Sequence, residues 1–268
     1  MDIQSLKIAY FSPTGTTKAI IQGIARGIDH SSSEVIDITK PDLRKQTLHA
    51  SPDDLLMVAV PVYAGRVPAV LQGWLNEIKA SDTPAVCVVV YGNRDYDDAL
   101  LELKDTLQKR GCKPIAGAAF IGEHSFSGPD TPIAVARPDG EDLGHAEAFG
   151  RKLKDKLLSL SSADQISELK VPGNFPYKEG MRKITGDFIA VSDACTQCGV
   201  CAQECPVDAI DAKDSSTIDR EKCILCCACI KGCPEKARTM MAGPVMDIAI
   251  RLNKACQERK EPVFFIDN

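Results

Sequence analysis

The sequence predicts an α/β protein with a doubly wound five-stranded parallel sheet, followed by a second and smaller domain. Two observations lead to this prediction. Over residues 1–160, short apolar runs rich in β-branched residues alternate with amphipathic stretches, which is the pattern of strands and helices around a parallel sheet. Residues 195–233 then contain nine of the 12 cysteines, so the later part of the chain is built differently.

Five predicted strands follow one another in the first part of the chain, and each is short and apolar. They are residues 6–11 (LKIAYF), 34–38 (EVIDI), 55–60 (LLMVAV), 85–91 (AVCVVVY) and 115–122 (IAGAAFIG). Helical periodicity separates them. It is marked first by Ile20, Ile24 and Ile28, and it continues at 67–79, 95–110 and about 141–160.

The remaining boundaries follow from changes in composition. Residues 161–183 carry serine, glycine and proline without periodicity, which predicts a linker between a first domain at 1–160 and a cysteine-rich domain at 184–242. Residues 243–268 predict a helix and a strand that pack on one of the two domains.

Bulk properties exclude some classes of function. The net charge of −5 and the pI near 5.5 argue against a nucleic-acid partner. No apolar run approaches the roughly 20 residues of a membrane span. The chain begins MDIQSLKIAYF, without an apolar leader after a basic start, so we expect a cytoplasmic protein.

The cysteines form two runs, at residues 195–206 and 223–234. Each run reads C-x-x-C-x-x-C-x-x-x-C-P, which is the bacterial ferredoxin spacing for two [4Fe–4S] clusters. In such proteins each run lends its last cysteine to the other cluster. One predicted cluster is therefore bound by Cys195, Cys198, Cys201 and Cys233, and the other by Cys223, Cys226, Cys229 and Cys205.

The competing interpretation is structural zinc, which needs only paired C-x-x-C units. Zinc would leave two cysteines of each run and both following prolines without a role. Cys227 lies beside Cys226, but only the register through Cys226 reproduces the first run, so we predict no ligand role for Cys227. Cys87, Cys112 and Cys256 lie in apolar or helical contexts and are expected to be buried small hydrophobic residues.

A second site is predicted at the carboxyl ends of the strands, where open α/β sheets bind ligands. The loop SPTGTT at 12–17 offers hydroxyls and backbone N–H groups at a helix N-terminus, which suits a phosphate, although an ordinary helix cap would look similar. It lacks the lysine of a nucleoside triphosphate loop. The loops at 61–66 and 92–96 each add an aromatic ring, so the three loops together suit a planar ring with a phosphate tail.

On these loops, residues 5–158 resemble the flavodoxins, which implies a flavodoxin-like fold and bound FMN. SPTGTT is similar to their phosphate loop, and YGNRDY is similar to the loop whose tyrosine stacks on the flavin, here Tyr96. Tyr63 stands where flavodoxins often carry a second stacking aromatic. The FMN-binding residues that the resemblance implies are Ser12, Thr14, Gly15, Thr16, Thr17, Pro61, Val62, Tyr63, Ala64, Gly65, Gly92, Asn93, Arg94 and Tyr96.

The resemblance has one departure. In many flavodoxins a glycine follows the second aromatic residue, whereas Ala64 follows Tyr63 here and Gly65 comes one position later. Glycine tolerates positive φ and alanine does not. We therefore expect weaker stabilisation of a partly reduced flavin, unless Gly65 takes that role.

As a whole, the chain resembles iron–sulfur flavoproteins in which a flavodoxin-like domain precedes a two-cluster ferredoxin domain. The resemblance implies an electron-transfer protein that relays electrons between two [4Fe–4S] clusters and a bound FMN, and on to a redox partner protein. The alternative is a flavin-dependent oxidoreductase of a small organic substrate, and a redox or iron sensor ranks last. No catalytic residue is assigned. Arg66 and Arg94 are interpreted either as binding an anion near the flavin or as solvated surface residues. His124 is interpreted either as facing the same crevice or as an ordinary loop residue.

Overall fold

The computed structural model describes residues 1, 3–180, 184 and 187–267. The end of the predicted linker (181–183), two residues of the predicted cysteine-rich domain (185 and 186) and the C-terminal Asn268 lie outside the described residues. Among the described residues, no helix is both long and apolar enough to span a membrane.

Strands occur in both parts of the chain. They are β1 (Ser5–Tyr10), β2 (Ser33–Asp37), β3 (His49–Ala50), β4 (Asp54–Pro61), β5 (Lys79–Ala80), β6 (Thr83–Tyr91), β7 (Cys112–Ile121), β8 (Ile189–Val191), β9 (Arg238–Met240) and β10 (Val263–Phe265). The helices are α1 (Thr16–Ile28), α2 (Gln72–Asn76), α3 (Ala99–Lys109), α4 (Gly140–Ser159), α5 (Val200–Glu204), α6 (Ala228–Lys231) and α7 (Pro244–Ala255).

A six-stranded sheet in the order β10-β7-β6-β4-β1-β2 forms the centre of the first domain. Its five strands from β7 to β2 are parallel, which confirms the predicted doubly wound parallel sheet. The sixth strand, β10, comes from the end of the chain and pairs antiparallel with β7. It covers an edge that would otherwise present unpaired backbone groups.

Two apolar layers cover the sheet. On one face, α1 and α4 pack against alternate residues of β1, β4 and β6. On the other face, α2 and α3 cover the intervening residues. The predicted helix at 67–79 is shorter than expected, because a 3-10 turn at 69–71 precedes α2.

The segment from 161 to 180 lies along α3 rather than standing free, although a 3-10 turn at 163–165 is its one regular element. The Asp98 carboxylate accepts hydrogen bonds from the backbone N–H groups of Asn174 and Lys178, at 2.8 and 2.7 Å. The Tyr177 hydroxyl donates to Asp105 at 2.8 Å. These bonds bring Lys178 to the carboxyl end of the sheet.

The cysteine-rich domain is an internal duplication in which residues 28 positions apart have matching backbones. The left-handed positions recur in pairs: Gln197 with Leu225 (φ 56° and 57°), Gly199 with Cys227 (φ 76° and 57°), and Asp208 with Lys236 (φ 50° each). Each repeat contributes one short helix, α5 or α6, and β8 pairs antiparallel with β9.

Polar contacts hold the duplicated domain against the sheet domain. Arg44 donates to the backbone oxygen of Pro206 at 2.7 Å, and Lys231 forms an ion pair with Glu123 at 2.6 Å. After the second repeat, α7 leads the chain back toward the sheet, and the Asn93 side chain donates to the backbone oxygens of Cys256 and Glu258. The cysteine repeats are thereby held at the carboxyl edge of the sheet.

Candidate functional site

A cavity of about 370 Å³ lies between the carboxyl edge of the sheet and the second cysteine repeat. The loops after β4, β6 and β7 form one wall, and the segments around 178 and 224 together with α7 form the other. It is lined by Val62, Tyr63, Ala64, Gly65, Tyr91, Gly92, Arg94, Asp95, His124, Ser125, Phe126, Lys178, Glu179, Ile184, Ile224, Leu225, Ile248 and Leu252.

A smaller cavity of about 40 Å³ adjoins it at the N-terminus of α1. Thr14, Thr16 and Thr17 line this smaller cavity, and Tyr63 and His124 belong to both cavities. The two cavities therefore form one elongated site with a hydroxyl-rich narrow end and a wide end that is largely apolar.

The narrow end fits a phosphate group. The Thr17 hydroxyl is buried and has no hydrogen-bond partner among the described residues. A buried hydroxyl without a partner lowers the stability of the folded protein, so a bound hydrogen-bond acceptor at this position would be stabilising. The first turn of α1 contains no acidic residue that would repel an anion.

Two predicted phosphate-loop residues shape this end without lining it. The Ser12 hydroxyl accepts a hydrogen bond from the backbone N–H of Lys18 at 3.0 Å, so it fastens the loop to α1. Gly15 has φ 86°, a conformation that glycine adopts at little cost.

The loop after β4 is a tight two-residue turn. Tyr63 and Arg66 exchange backbone hydrogen bonds of 3.0 and 3.1 Å around Ala64 and Gly65, which have φ of 51° and 80°. Positive φ at both central residues is the type I′ geometry. Ala64 therefore holds the left-handed conformation that costs a non-glycine residue about 1–2 kcal/mol.

The loop after β6 brings a further tyrosine to the site. Tyr91, the last residue of β6, lines the cavities, and Tyr96 packs against it from outside with ring centroids 5.5 Å apart. Asn93 does not line the cavities, and its side chain donates to backbone oxygens at the end of α7 and after it. Tyr96 and Asn93 stay predicted FMN-binding residues.

The two arginines singled out in the sequence have different surroundings. Arg66 is paired with the Glu102 carboxylate through two bonds of 2.7 Å and lies over the Tyr177 ring, so its role is structural. Arg94 lines the larger cavity, where the Asp97 carboxylate is its partner.

His124 lies where the two cavities meet. A Cβ on Gly92 would lie 2.2 Å from Cδ2 of His124, so the imidazole packs directly on the Gly92 backbone. The backbone N–H of Phe126 donates to Nδ1 at 2.9 Å, which leaves the proton on Nε2. Burial, with smaller contributions from the Lys231 and Arg94 charges, lowers the pKa of His124 to about 4. The ring is therefore neutral at pH 7.

The second predicted cysteine set is brought together across the two repeats. The Cys205 thiol interacts electrostatically with Cys223, Cys226 and Cys229, as the predicted exchange of ligands requires. Burial raises the pKa of the Cys226 thiol to about 12, so thiolates here need a strong counter-charge such as metal.

The cysteine sulfur atoms are not gathered as one zinc ion would hold them. Tetrahedral zinc with Zn–S bonds of about 2.3 Å holds its sulfur atoms roughly 3.8 Å apart. In the described part of the chain, no three cysteine sulfur atoms lie within 4.8 Å of one another.

Cys227 is buried beside this set and occupies the position of Gly199 in the first repeat. Its thiol donates to the backbone oxygen of Leu225 at 3.7 Å. Burial, followed by the Cys226 and Cys227 thiols, raises the pKa of the Tyr63 hydroxyl well above its ordinary value. The backbone of Tyr63 therefore belongs to the loop after β4, while its hydroxyl interacts electrostatically with Cys226 and Cys227.

Comparison with known proteins identifies two domain families in the chain. Residues 7–125 match the flavodoxin domain family, and residues 189–211 match the 4Fe-4S binding domain family. The chain is 43% identical to Ferredoxin-2 of Chlorobaculum tepidum over 51 residues, which cover 16% of this chain and 82% of that protein.

A second curated relative is a probable iron-sulfur protein of the Frd operon of Proteus vulgaris. It is 33% identical over 93 residues, which cover 34% of this chain, and the chain spans about half (55%) of that relative's length. Among solved structures, an archaeal flavodoxin has a TM-score of 0.41 at 14% identity, with 58% of this chain and 99% of that chain covered. Flavodoxin of Fusobacterium nucleatum bound to flavin mononucleotide has a TM-score of 0.40 at 15% identity, with 57% and 98% covered.

The fold and the family matches define an iron–sulfur flavoprotein in which a flavodoxin domain precedes a 4Fe–4S ferredoxin domain. Such a combination indicates electron transfer or another redox activity. Through its cysteine-rich segment, the chain belongs to the ferredoxin family.

Proposed function

We propose that the protein relays electrons between a redox partner protein, two [4Fe–4S] clusters and a bound FMN. The clusters would be held by Cys195, Cys198, Cys201 and Cys233, and by Cys223, Cys226, Cys229 and Cys205. One observation carries the proposal: Leu225, which lies between Cys223 and Cys226 in the chain, lines the same cavity as Tyr63 and Tyr91.

Each end of the elongated site has residues suited to one part of FMN. Thr14, Thr16 and Thr17 would hold the phosphate at the N-terminus of α1. Tyr63 and Tyr91 line the wide end, where a planar ring is favoured by aromatic neighbours. Bound FMN supplies the exchange of one or two electrons, while each cluster exchanges one.

The wall contributed by the second repeat and α7 is apolar over part of the wide end and would exclude water there. Ile224 and Leu225 of the repeat line it together with Ile248 and Leu252 of α7. Excluding water preserves the strength of nearby hydrogen bonds and charges. His124 keeps its imidazole neutral and offers the Nε2–H as a fixed donor at the junction of the two cavities.

The first repeat has the character of a docking surface for a basic partner. Residues 187–222 contain eight acidic and three basic side chains, and Cys198 in this segment is exposed. Complementary charge speeds the encounter of redox partners through contacts that salt weakens. We infer that electrons enter or leave through the cluster on the first repeat.

The alternative is an oxidoreductase that acts on a small organic substrate. It would need space beside the flavin ring. The cavity of about 370 Å³ also has to accommodate that ring, so its volume does not favour a substrate. We therefore retain electron transfer as the proposed function.

Cofactor content tests the proposal first. Anaerobically purified protein should contain about eight iron atoms and bind one FMN per chain. Iron near half that amount, or no FMN binding by the apoprotein, would contradict it.

The Thr17→Val variant tests the phosphate end separately. Because the substitution keeps the shape and removes the unpartnered hydroxyl, we expect unchanged or higher stability of the apoprotein and about 10- to 100-fold weaker FMN binding. Thr106→Val is the control, since its hydroxyl bonds to Glu102 on α3, away from the site. Equal FMN affinity in wild type and Thr17→Val would show that the phosphate does not bind here.

A further inference from the structure

The two cysteine repeats differ at one buried position that is apolar in one and charged in the other. The first repeat ends Cys205-Pro-Val-Asp-Ala-Ile210, and the second ends Cys233-Pro-Glu-Lys-Ala-Arg238. Ile210 is 7% exposed and Arg238 is 2% exposed, so both side chains are interior. The second repeat therefore buries a guanidinium at the position where the first repeat buries a hydrocarbon side chain.

Arg238 has no carboxylate partner among the described ion pairs. Nη1 donates to the backbone oxygen of Ser215 at 2.6 Å and to Cys201 Sγ at 3.3 Å. Nε and Nη2 are buried and have no hydrogen-bond partner in the described part of the chain. A buried arginine stays charged and is strongly destabilising unless an anion lies beside it.

Cysteine sulfur is the anion source nearest to this guanidinium. Arg238 donates a hydrogen bond of 3.3 Å to Cys201 of the first predicted set. It also interacts electrostatically with Cys223 and Cys229 of the second set, and its side chain is a hydrogen-bond partner of the Cys229 thiol. Arg238 thus lies between the two sets and contacts sulfur of both, with the well-aligned N–H···S bond of 3.3 Å to Cys201 of the first.

We propose that Arg238 makes the two clusters inequivalent by raising the reduction potential of both, most strongly that of the cluster bound through Cys201. Reduction adds one electron from the redox partner to a cluster and makes no bond and breaks none. The added negative charge is stabilised by a fixed positive charge and an N–H···S bond, which are two of the factors that set cluster potentials. This inference rests on the proposed function, since it requires both clusters.

The test replaces Arg238 in the full-length, cluster-containing protein. Arg238→Ile copies the first repeat, Arg238→Gln keeps a polar neutral stem, and Arg238→Lys keeps the charge without the fork of donors. Arg251→Ile, on the exposed face of α7, is the control for overall charge. Each variant is titrated anaerobically with dithionite, a one-electron reductant, and both clusters are followed by electron paramagnetic resonance beside iron and sulfide analysis.

We expect Arg238→Ile and Arg238→Gln to lower the equilibrium constant for reduction of the Cys201 cluster at least tenfold, which is 59 mV for one electron. The other cluster should shift less, Arg238→Lys should shift less than the neutral variants, and Arg251→Ile should leave both potentials unchanged. A neutral variant with full iron content and wild-type potentials would overturn the inference.

If both neutral variants lose iron, Arg238→Lys decides. The lysine side chain keeps the charge but is shorter and cannot place a donor fork between the two cysteine sets, so a lowered potential at the Cys201 cluster would support the inference. Unchanged potentials of both clusters in that variant would overturn the role assigned to the guanidinium. Wild-type protein with about four irons instead would contradict the proposed function itself, so the two failures are distinguishable.

Discussion

The two cysteine repeats have the same backbone and different surroundings. In the first, Cys198 is exposed and the adjoining segment is acidic. In the second, Cys226 and Cys229 are buried, and Leu225 reaches the cavity that the loops of the sheet domain also line. The duplication thus contains two similar cysteine loops, and side-chain differences place one at the surface and the other at the cavity.

Loss of a cluster ligand should affect the two repeats unequally, and this is the largest effect we expect. Cys226→Ser should weaken FMN binding and lower stability by about 2 kcal/mol more than Cys198→Ser, or roughly 5 °C in Tm, because the Cys226 sulfur is buried beside the cavity. Thermal unfolding and FMN titration of the two variants measure this. Equal losses of flavin affinity would contradict the difference between the repeats.

Leu225→Gln introduces the residue of the first repeat at the cavity wall. Both positions have the same left-handed backbone, so the change acts through polarity. An amide without a partner in the apolar end should weaken FMN binding about tenfold. The reciprocal Gln197→Leu removes the acceptor for the Ser215 N–H and should leave FMN affinity unchanged. Fluorescence titration of the apoprotein with FMN distinguishes them, and tight binding by Leu225→Gln would refute the placement of the flavin ring.

Lys231→Gln also copies the first repeat, where Gln203 is the counterpart, and it removes the ion pair with Glu123. Burial alone would raise the pKa of Glu123, but the Lys231 ammonium holds that pKa below its usual value. A lowered carboxyl pKa contributes stability above its ordinary value near 4.5 and loses it as the pH falls. We expect a loss of about 1 kcal/mol at pH 7 that disappears toward pH 4.

The same substitution should raise the pKa of His124, because Lys231 is one of the charges that lower it. Denaturant unfolding between pH 4 and 8 tests both expectations. Lys222→Gln, at an exposed pair with Asp219, is the control and should change stability by at most about 0.5 kcal/mol. A penalty for Lys231→Gln that is independent of pH would exclude the ion pair as its cause.

Cys227→Gly restores the glycine of the first repeat and should have the smallest effect. Relief of the left-handed backbone gains about 1 kcal/mol, and loss of a buried thiol costs about the same. The net change in stability should be close to zero, and iron content should remain complete. Loss of iron in Cys227→Gly would show that Cys227 is a ligand and that the register through Cys226 is wrong.

The sequence predicted the parallel sheet because its strands carry a local apolar pattern. It also predicted the three loops at the carboxyl edge, since their positions follow from the order of strands and helices. Antiparallel pairing of β10 with β7 joins residues more than 140 positions apart, and no local pattern specifies it. The place of Tyr91 on the cavity wall depends on where β6 ends and the turn after it begins, which periodicity does not resolve.

Sequence patterns also did not predict which residues form the second wall of the cavity. Ile224, Leu225, Ile248 and Leu252 are ordinary apolar residues in the sequence, and their role arises from the way α7 and the second repeat meet the sheet domain. The cysteine spacing, in contrast, is visible in the sequence itself and predicts iron–sulfur ligation without knowledge of the fold. Arg238 was detectable in principle, because aligning the repeats places it opposite Ile210.

Anaerobic reductive titration of the purified protein tests the central claim most directly. Two clusters that each take one electron and an FMN that takes two should together consume about four electron equivalents per chain, with cluster and flavin absorbance both lost. Consumption of about two equivalents, with either the cluster or the flavin signal unchanged, would contradict a relay that contains both cofactors.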